Sequence, residues 1–370
     1  MARSPAADRQ QGRTLSVGPQ EPLRTLARAL RHASDGDTIA LQPGTYRGDV
    51  SAVEQRGLLI RGLGPGALLL ADGRHAEGKA ILVTRDSVVL ENLEFRGCRV
   101  PSGNGAGVRF ERGQLELRRC RFHDNEIGLL SNNDAEMTLD IIDCEFSAAP
   151  RHPGSLHHLL YVGAIGALRV QGSRFHQGWR GHLLKSRART NVLLGNWLVD
   201  GPLGESSYEL EFPEGGDALV AGNVIAQSAG TQNATILSIG AEASPDAGGR
   251  LRLVHNTFVN HAAAKAHFCR VWEDRLQANF PTLIARNLFV GRGSWPSTGD
   301  ERILGNHQLD LARVAAADRA DYRLPPGSPL WRSTLQPPAG LPPLIRFAVP
   351  LGVRPMPDGS LVPGALRLGD

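Results

Sequence analysis

Between residues 151 and 216 the chain concentrates side chains that can move protons and hold anions. The segments HPGSLHHLLYVG, FHQGWRGHLLKSRART and SSYELEFPEGG supply His157, His158, His182, Lys185, Arg187, Glu209 and Glu211, with Tyr161 and Tyr208 beside them. Imidazole, ammonium, guanidinium and carboxylate groups in one place suit the chemistry of uronic acids. β-Elimination at a uronate removes the C5 proton next to the carboxylate and expels the 4-linked sugar. It needs a cation on the carboxylate (Arg or Ca²⁺), a base of tuned pKa, and an acid for the leaving oxygen. His182, Lys185 and Arg187 are read as base and carboxylate clamp, and Glu209 or Glu211 as groups that orient them or bind metal. His157, His158, Tyr161 and Tyr208 are read as substrate-binding, the tyrosines by stacking on sugar rings. Hydrolysis would instead need two carboxylates flanking the bond. Glu209 and Glu211, two apart on one strand, stand roughly 6 to 7 Å apart at Cα, but the sequence offers neither a clear partner across a cleft.

Each assignment has a plainer competitor. His182 can cap a coil edge. Lys185 and Arg187 can be solvated corner residues paired with Glu209 and Glu211, a surface network of little energetic weight. His157 and His158 can be loop surface, and both tyrosines can be packing. His123, His176, His255 and His261 recur beside the repeat anchors described next, so a structural role is expected for them. The turn LSNNDAE offers Asn132, Asn133, Asp134 and Glu136 to a calcium ion, although Asn/Asp turns are ordinary in repeats of this kind.

The elements that must position these groups are repeats. An apolar anchor follows a small or polar residue in NLEF (Asn92–Phe95), CRF (Cys120–Phe122), CEF (Cys144–Phe146), SRF (Ser173–Phe175), NWL (Asn196–Leu198), NVI (Asn223–Ile225), NTF (Asn256–Phe258) and NLF (Asn287–Phe289). The anchors are spaced by 27, 24, 29, 23, 27, 33 and 31 residues, a period that means stacked repeats rather than one globular core. Short apolar runs such as SVVLENLEF, QLELRRCRF and LRLVHNTF precede them and read as strands. One coil per repeat, stacked at about 4.8 Å, makes a parallel β-helix. Asn196, Asn223, Asn256 and Asn287 then form an inward ladder. Aligning coils on Ser173, Asn196 and Asn223 places Leu159, His182 and Glu209 in register, so His182 and Glu209 are expected to touch, with Glu211 on the same face. Neither a leucine-rich nor a Trp-Asp repeat signature is present.

These repeats resemble the right-handed parallel β-helix proteins of the pectate-lyase-like superfamily, over roughly residues 14 to 330. The opening PLRTLARALRHASDGD, an amphipathic helical face, and GDTIALQPGTYRG look like the capping start of such proteins. The expected fold is all-β: a right-handed single-stranded parallel β-helix with an N-terminal amphipathic capping helix. Its parts are a flexible N-terminus (1–13), the β-helix (14–330) with its cap (22–48), and a Pro-rich tail (331–370) packed on the helix or extended. The stretch HLLKSRARTNVLLGN is similar to one in the chondroitinase B and alginate lyase family. Aligned on Asn191–Val192 and Gly195–Asn196, His182 stands where that family has a calcium-binding Glu and Arg187 where it has the base Lys. Lys185 lies two residues earlier, and Pro213 follows Phe212 where the family carries an Arg. The resemblance implies a polysaccharide lyase for a uronate-containing glycan. These departures leave calcium and the standard Lys/Arg mechanism open.

Composition bounds the rest. The 370 residues exceed a usual single core, which a solenoid tolerates because each coil packs only on its neighbours. A net charge of +4, without a basic run of five, disfavours a nucleic-acid partner. The expected partner is a polysaccharide, acidic before neutral. No stretch is long enough to span a membrane. Met1–Pro19 lacks the apolar core of a signal peptide, while the fold's usual setting is periplasmic or extracellular. Cys120 and Cys144 share a repeat position and are read as stacked free thiols rather than a disulfide. A capped solenoid needs no partner, so a monomer is expected. Three functions remain in play: lyase, non-catalytic glycan-binding or surface-structural protein, and hydrolase.

Overall fold

The computed structural model describes residues 12–152, 154–245, 247–296, 303–332, 344–356 and 362–366. The expectations for the first eleven residues and for much of the Pro-rich tail lie outside them. Within them the chain winds as a right-handed parallel β-helix of three long sheets, with 12, 10 and 11 strands. Each coil contributes one strand to each sheet, and every pairing along them is parallel.

The repeat anchors point inward and stack. Phe95, Phe122, Phe146 and Phe175 lie with ring centroids 5.1, 4.5 and 4.8 Å apart and near-parallel planes. Leu198 and Ile225 continue the column, and Phe258 and Phe289 close it at 5.4 Å. Beside it runs the asparagine ladder. The backbone N–H and side-chain amide of Asn196 both donate to Asn223 Oδ1, at 2.8 and 2.9 Å. Asn223, Asn256 and Asn287 repeat this to the next coil, ending on Asn306. Each of these amides also donates to a main-chain carbonyl of an earlier coil, which satisfies polar groups that a narrow corner would otherwise bury alone. The ladder begins with weaker acceptors: Cys120 N–H meets Cys144 Sγ at 3.3 Å, Cys144 N–H meets Ser173 Oγ at 3.1 Å, and Ser173 N–H meets Asn196 Oδ1 at 2.9 Å. All four cysteines are buried free thiols.

The capping helix is shorter than the sequence suggests. Helix α1 covers only Leu26–Leu30 and buries Leu26, Ala29 and Leu30 against the first coil. The Thr25 hydroxyl accepts from Arg28 N–H, while the Asp49 carboxylate takes the N–H groups of Leu26 and Ala27. The amphipathic pattern runs on to Ala33, but Asp37 pulls the chain out of the helix by accepting from Ser34 and Arg13 N–H at 2.9 and 2.8 Å. At the other end, Tyr322, Leu324, Ala365 and Leu366 pack on Val199, Val224, Val259 and Val290, on the outer face of the 11-stranded sheet. No helix among the described residues is long and apolar enough to cross a membrane.

The outer face of the 10-stranded sheet changes character along the axis. Its early coils carry Val83, Ala106, Ile127 and Leu130. Its later coils carry the polar residues singled out above.

Candidate functional site

Two outward stripes run along this sheet, because its strands from the coil of residues 158–161 onward follow an out-in-in-out order. The first stripe is His158, His182 and Tyr208, continuing to Thr235 and His267. The second is Tyr161, Lys185, Glu211, Ser238 and Arg270. Between them Leu183, Leu184, Glu209 and Leu210 turn inward and are fully buried.

This corrects the expected register. His182 pairs with Tyr208, not Glu209, and it is His158 rather than Leu159 that precedes it. The reason is one extra residue in the corner that follows. Lys185 pairs with Glu211 and Thr190 with Asp217, so the second coil spends one more position turning. Gly215 and Gly216 absorb it at φ of 81° and 82°. A Cβ on Gly216 would sit 2.8 Å from Arg189 O, so glycine is what lets the corner close. Counting back from the Asn anchors therefore slips by one. Glu209 and Glu211 also fail to share a face. Glu209 is fully buried and reached by the Ser206 hydroxyl at 3.1 Å, beside Asp200. Burial and the neighbouring Asp200 hold its carboxyl well above the usual range. It takes no part in the outward site.

Glu211 does. His182 Nδ1 lies 3.1 Å from Glu211 Oε2, and Lys185 Nζ lies 3.3 Å from the same oxygen. Lys185 Nζ also bonds Glu242 Oε1 at 2.7 Å. Arg187 donates to the other oxygen of Glu242, to Glu214 Oε1 at 2.7 Å, and through Nε to the Tyr161 hydroxyl at 3.3 Å. Three rings wall the group: His182 stands edge-on to His158 at 4.7 Å and to Tyr208 at 4.8 Å, and His158 meets Tyr161 at 5.1 Å. A cavity of about 330 Å³ opens beside them, with Tyr161, Arg187 and Glu214 in its wall.

The protonation states follow from burial and charge. Burial pulls His182 below its ordinary value, and Glu211 only partly offsets this, so the imidazole is neutral near pH 7. For Glu211 burial acts upward, but His182 and Lys185 outweigh it and hold the carboxylate low. Lys185 feels burial downward yet is raised by Glu242 and Glu211. Arg187 is likewise raised, its carboxylate and phenol partners overriding burial. His158 is driven well down by burial and then by the neighbouring cations. Its Nδ1 accepts from His182 N–H at 3.0 Å, which fixes the neutral tautomer with the proton on Nε2. The Glu211 carboxylate 3.1 Å from Nδ1 favours a proton on that nitrogen, although neither atom completes a hydrogen bond, and Nε2 makes no protein hydrogen bond among the described residues.

The structure therefore brings together His158, Tyr161, His182, Lys185, Arg187, Tyr208 and Glu211, and leaves two of the named residues apart. His157 is buried at 2% exposure, with Nδ1 3.1 Å from Glu126 O, because its short bridges to Trp179 and Arg180 turn it under the loop. Glu209 is the other. Glu214 and Glu242 were not found from the sequence. The Asn/Asp turn is also engaged elsewhere: Asn132 Oδ1 holds Arg109, Asn133 Oδ1 accepts from Ala164 N–H at 2.8 Å, and Asp134 Oδ1 accepts from Glu136 N–H at 2.9 Å. These three oxygens thus serve protein donors. No cluster of three or more His, Cys, Asp or Glu that could hold a metal occurs among the described residues.

No protein-family model and no curated protein matches the chain. Solved structures similar to it include two of the PL6 family alginate lyase AlyGC. The wild-type enzyme is 15% identical with a TM-score of 0.29, and an arginine-to-alanine mutant is 14% identical with a TM-score of 0.31. Each match covers 80% of this chain and 53% of the other, so the chain spans about half the length of those structures.

Proposed function

We propose that the chain is a polysaccharide lyase that cleaves a 4-linked uronate glycan by β-elimination on the outer face of its 10-stranded sheet. The observation that carries this is the approach of Glu211 to His182 Nδ1, beside a neutral imidazole whose Nε2 meets no protein hydrogen bond among the described residues, next to two cations. In this reading His182 Nε2 takes the C5 proton. The electron pair of that C–H bond forms the C4–C5 double bond as the C4–O bond breaks, and the leaving oxygen is protonated. Tyr161 is the proton source, its phenol oxygen located by Arg187 Nε. Lys185 and Arg187 hold the uronate carboxylate and stabilise the charge that builds on it when C5 loses its proton. Glu211 orients His182 and is a positioning residue. Tyr208 and His158 wall the sugar.

Glu242 holds the position that the substrate carboxylate needs. Its two oxygens span Lys185 and Arg187, and its side chain is 45% exposed, so in this reading the substrate carboxylate displaces it. A hydrolase reading fares worse. Glu211 and Glu242 do converge on Lys185, but both are held below the usual range, and neither can serve as the protonated acid that glycoside hydrolysis requires.

The test is absorbance near 235 nm, where unsaturated uronates appear, on a panel of polyuronates. A rise with the wild-type chain that His182→Ala and Lys185→Ala both abolish is the expected result. No rise on any polyuronate, from a chain folded by circular dichroism, would discard the lyase and favour a non-catalytic glycan-binding protein.

A further inference from the structure

Every cation near His182 is already neutralised. Lys185 faces Glu211 and Glu242, and Arg187 faces Glu214 and Glu242. These five groups sum to one net negative charge, a poor attractant for an acidic polymer. Cations without an ion pair among the described residues lie further along the same stripe. Arg270 is in register with Ser238, Ser238 with Glu211, and Glu211 with Lys185. Three strand spacings put Arg270 about 14 Å beyond Lys185.

The two arginines there are organised around one ring. The Arg270 guanidinium lies 3.7 Å over Trp272, and that of Arg275 lies 5.4 Å from it. Trp272 is itself anchored, its indole N–H donating to Ser238 Oγ at 3.2 Å, on the residue beside Glu211. Arg275 is tethered to Ala241 O, one residue from Glu242. Both guanidiniums are exposed, and neither makes an ion pair among the described residues. Glu273 and Asp274 sit between them in sequence, exposed and paired with neither. Stacking on the indole holds the planar cations in place, so less freedom is lost when an anion docks.

We propose that Arg270, Trp272 and Arg275 form a second anion subsite, which holds a carboxylate or sulfate of the same glycan three coils from His182. This rests on the lyase reading only for the identity of the polymer. It assigns the glycan a direction, along the helix axis, and a minimum reach of about 14 Å. Affinity for long acidic chains then comes mainly from this end, and chemistry from the other.

The test is calorimetric titration of the full chain with polymeric alginate and with polygalacturonate, at low and moderate salt. Arg270→Gln/Arg275→Gln is compared with wild type, and Arg270→Gln alone guards against an effect through the Ala241 tether. Loss of two exposed charge-assisted contacts predicts a fall in polymer affinity of about 5- to 30-fold for the double variant, a shallower salt dependence and an unchanged thermal midpoint. The single variant should lose part of this. A loss below about fivefold for the double variant overturns the subsite and leaves the lyase reading standing. A wild-type chain that binds neither polymer overturns both.

Discussion

Glu242→Gln isolates the role of the carboxylate that spans Lys185 and Arg187. The substitution keeps shape and removes charge. Lys185 retains Glu211 at 3.3 Å and Arg187 retains Glu214 at 2.7 Å, so both cations stay where they are. What changes is the competition a substrate carboxylate meets. Glu242 makes two ion pairs while its side chain is 45% exposed, which places each pair in the solvent-screened range of about 0.5 to 1 kcal/mol. Together they oppose docking by about 1 to 2 kcal/mol, equivalent to roughly 5- to 30-fold in affinity. Uronate oligomer binding, or KM where turnover is measured, should therefore tighten by that factor in Glu242→Gln. The rate constant of the bound complex should change less than the affinity, since Glu242 touches neither His182 nor Tyr161 and acts on His182 only through its charge. Affinity unchanged within twofold, or weakened, would show that Lys185 and Arg187 are not the carboxylate clamp.

Three further outcomes follow from the same structure. Because His182 is lowered from 6.5, the acid limb of kcat/KM should fall below pH 6.5 and move on Glu211→Gln; a limb above 6.5 would count against His182 as the base. Glu209 is raised in the folded state, so the fold binds its proton more tightly than the unfolded chain does. Stability tied to this group is full below the unfolded value near 4.5 and declines as pH rises toward the folded one. Glu209→Gln should remove that decline, adding about 1.4 kcal/mol at pH 8 for every tenfold by which folding tightens the proton, and thermal midpoints from pH 4 to 8 that track wild type would refute it. Phe146→Ala, between rings at 4.5 and 4.8 Å, should cost about 3 to 5 kcal/mol in chemical denaturation, and a cost under 1 kcal/mol would mean the column does not bear on stability.

The coil was legible because it repeats. The Asn and Phe anchors recur at one point of each turn, and the inward Asn ladder and stacked rings follow from that period alone. The site was only partly legible, since its residues belong to a strand placed by counting from those anchors. Lys185 precedes Asn196 by 11 residues, and Glu211 precedes Asn223 by 12. One inserted corner residue thus shifts Glu209 into the position expected to meet His182. The out-in-in-out order then defeats the simple alternation that would have put Glu209 and Glu211 on one face. Farther on the count fails altogether. Ser238 precedes Asn256 by 18 residues and Arg270 precedes Asn287 by 17, because longer loops carry Glu242 and Trp272. Those loops have no periodicity, so nothing in the pattern pointed to either residue. A signal was available at the strand itself: HFCRV aligns with TILSI and YELEF once the loop between them is discounted.

The asparagine ladder also gives the molecule an uneven grip along its axis. Its links run from the amide oxygens of Asn196 and later residues to the Ser173 hydroxyl and the Cys144 thiol, while earlier turns are again joined through Asn125 and Asn92, so this spine grips least between residues 120 and 173. In a stack where each turn holds only its neighbours, load or heat is released where the grip is least. Between residues 120 and 173 the stacked rings of Phe122, Phe146 and Phe175 carry the contact that the ladder gives up. Ladder and rings thereby share the task of holding in register the turns that carry the working face.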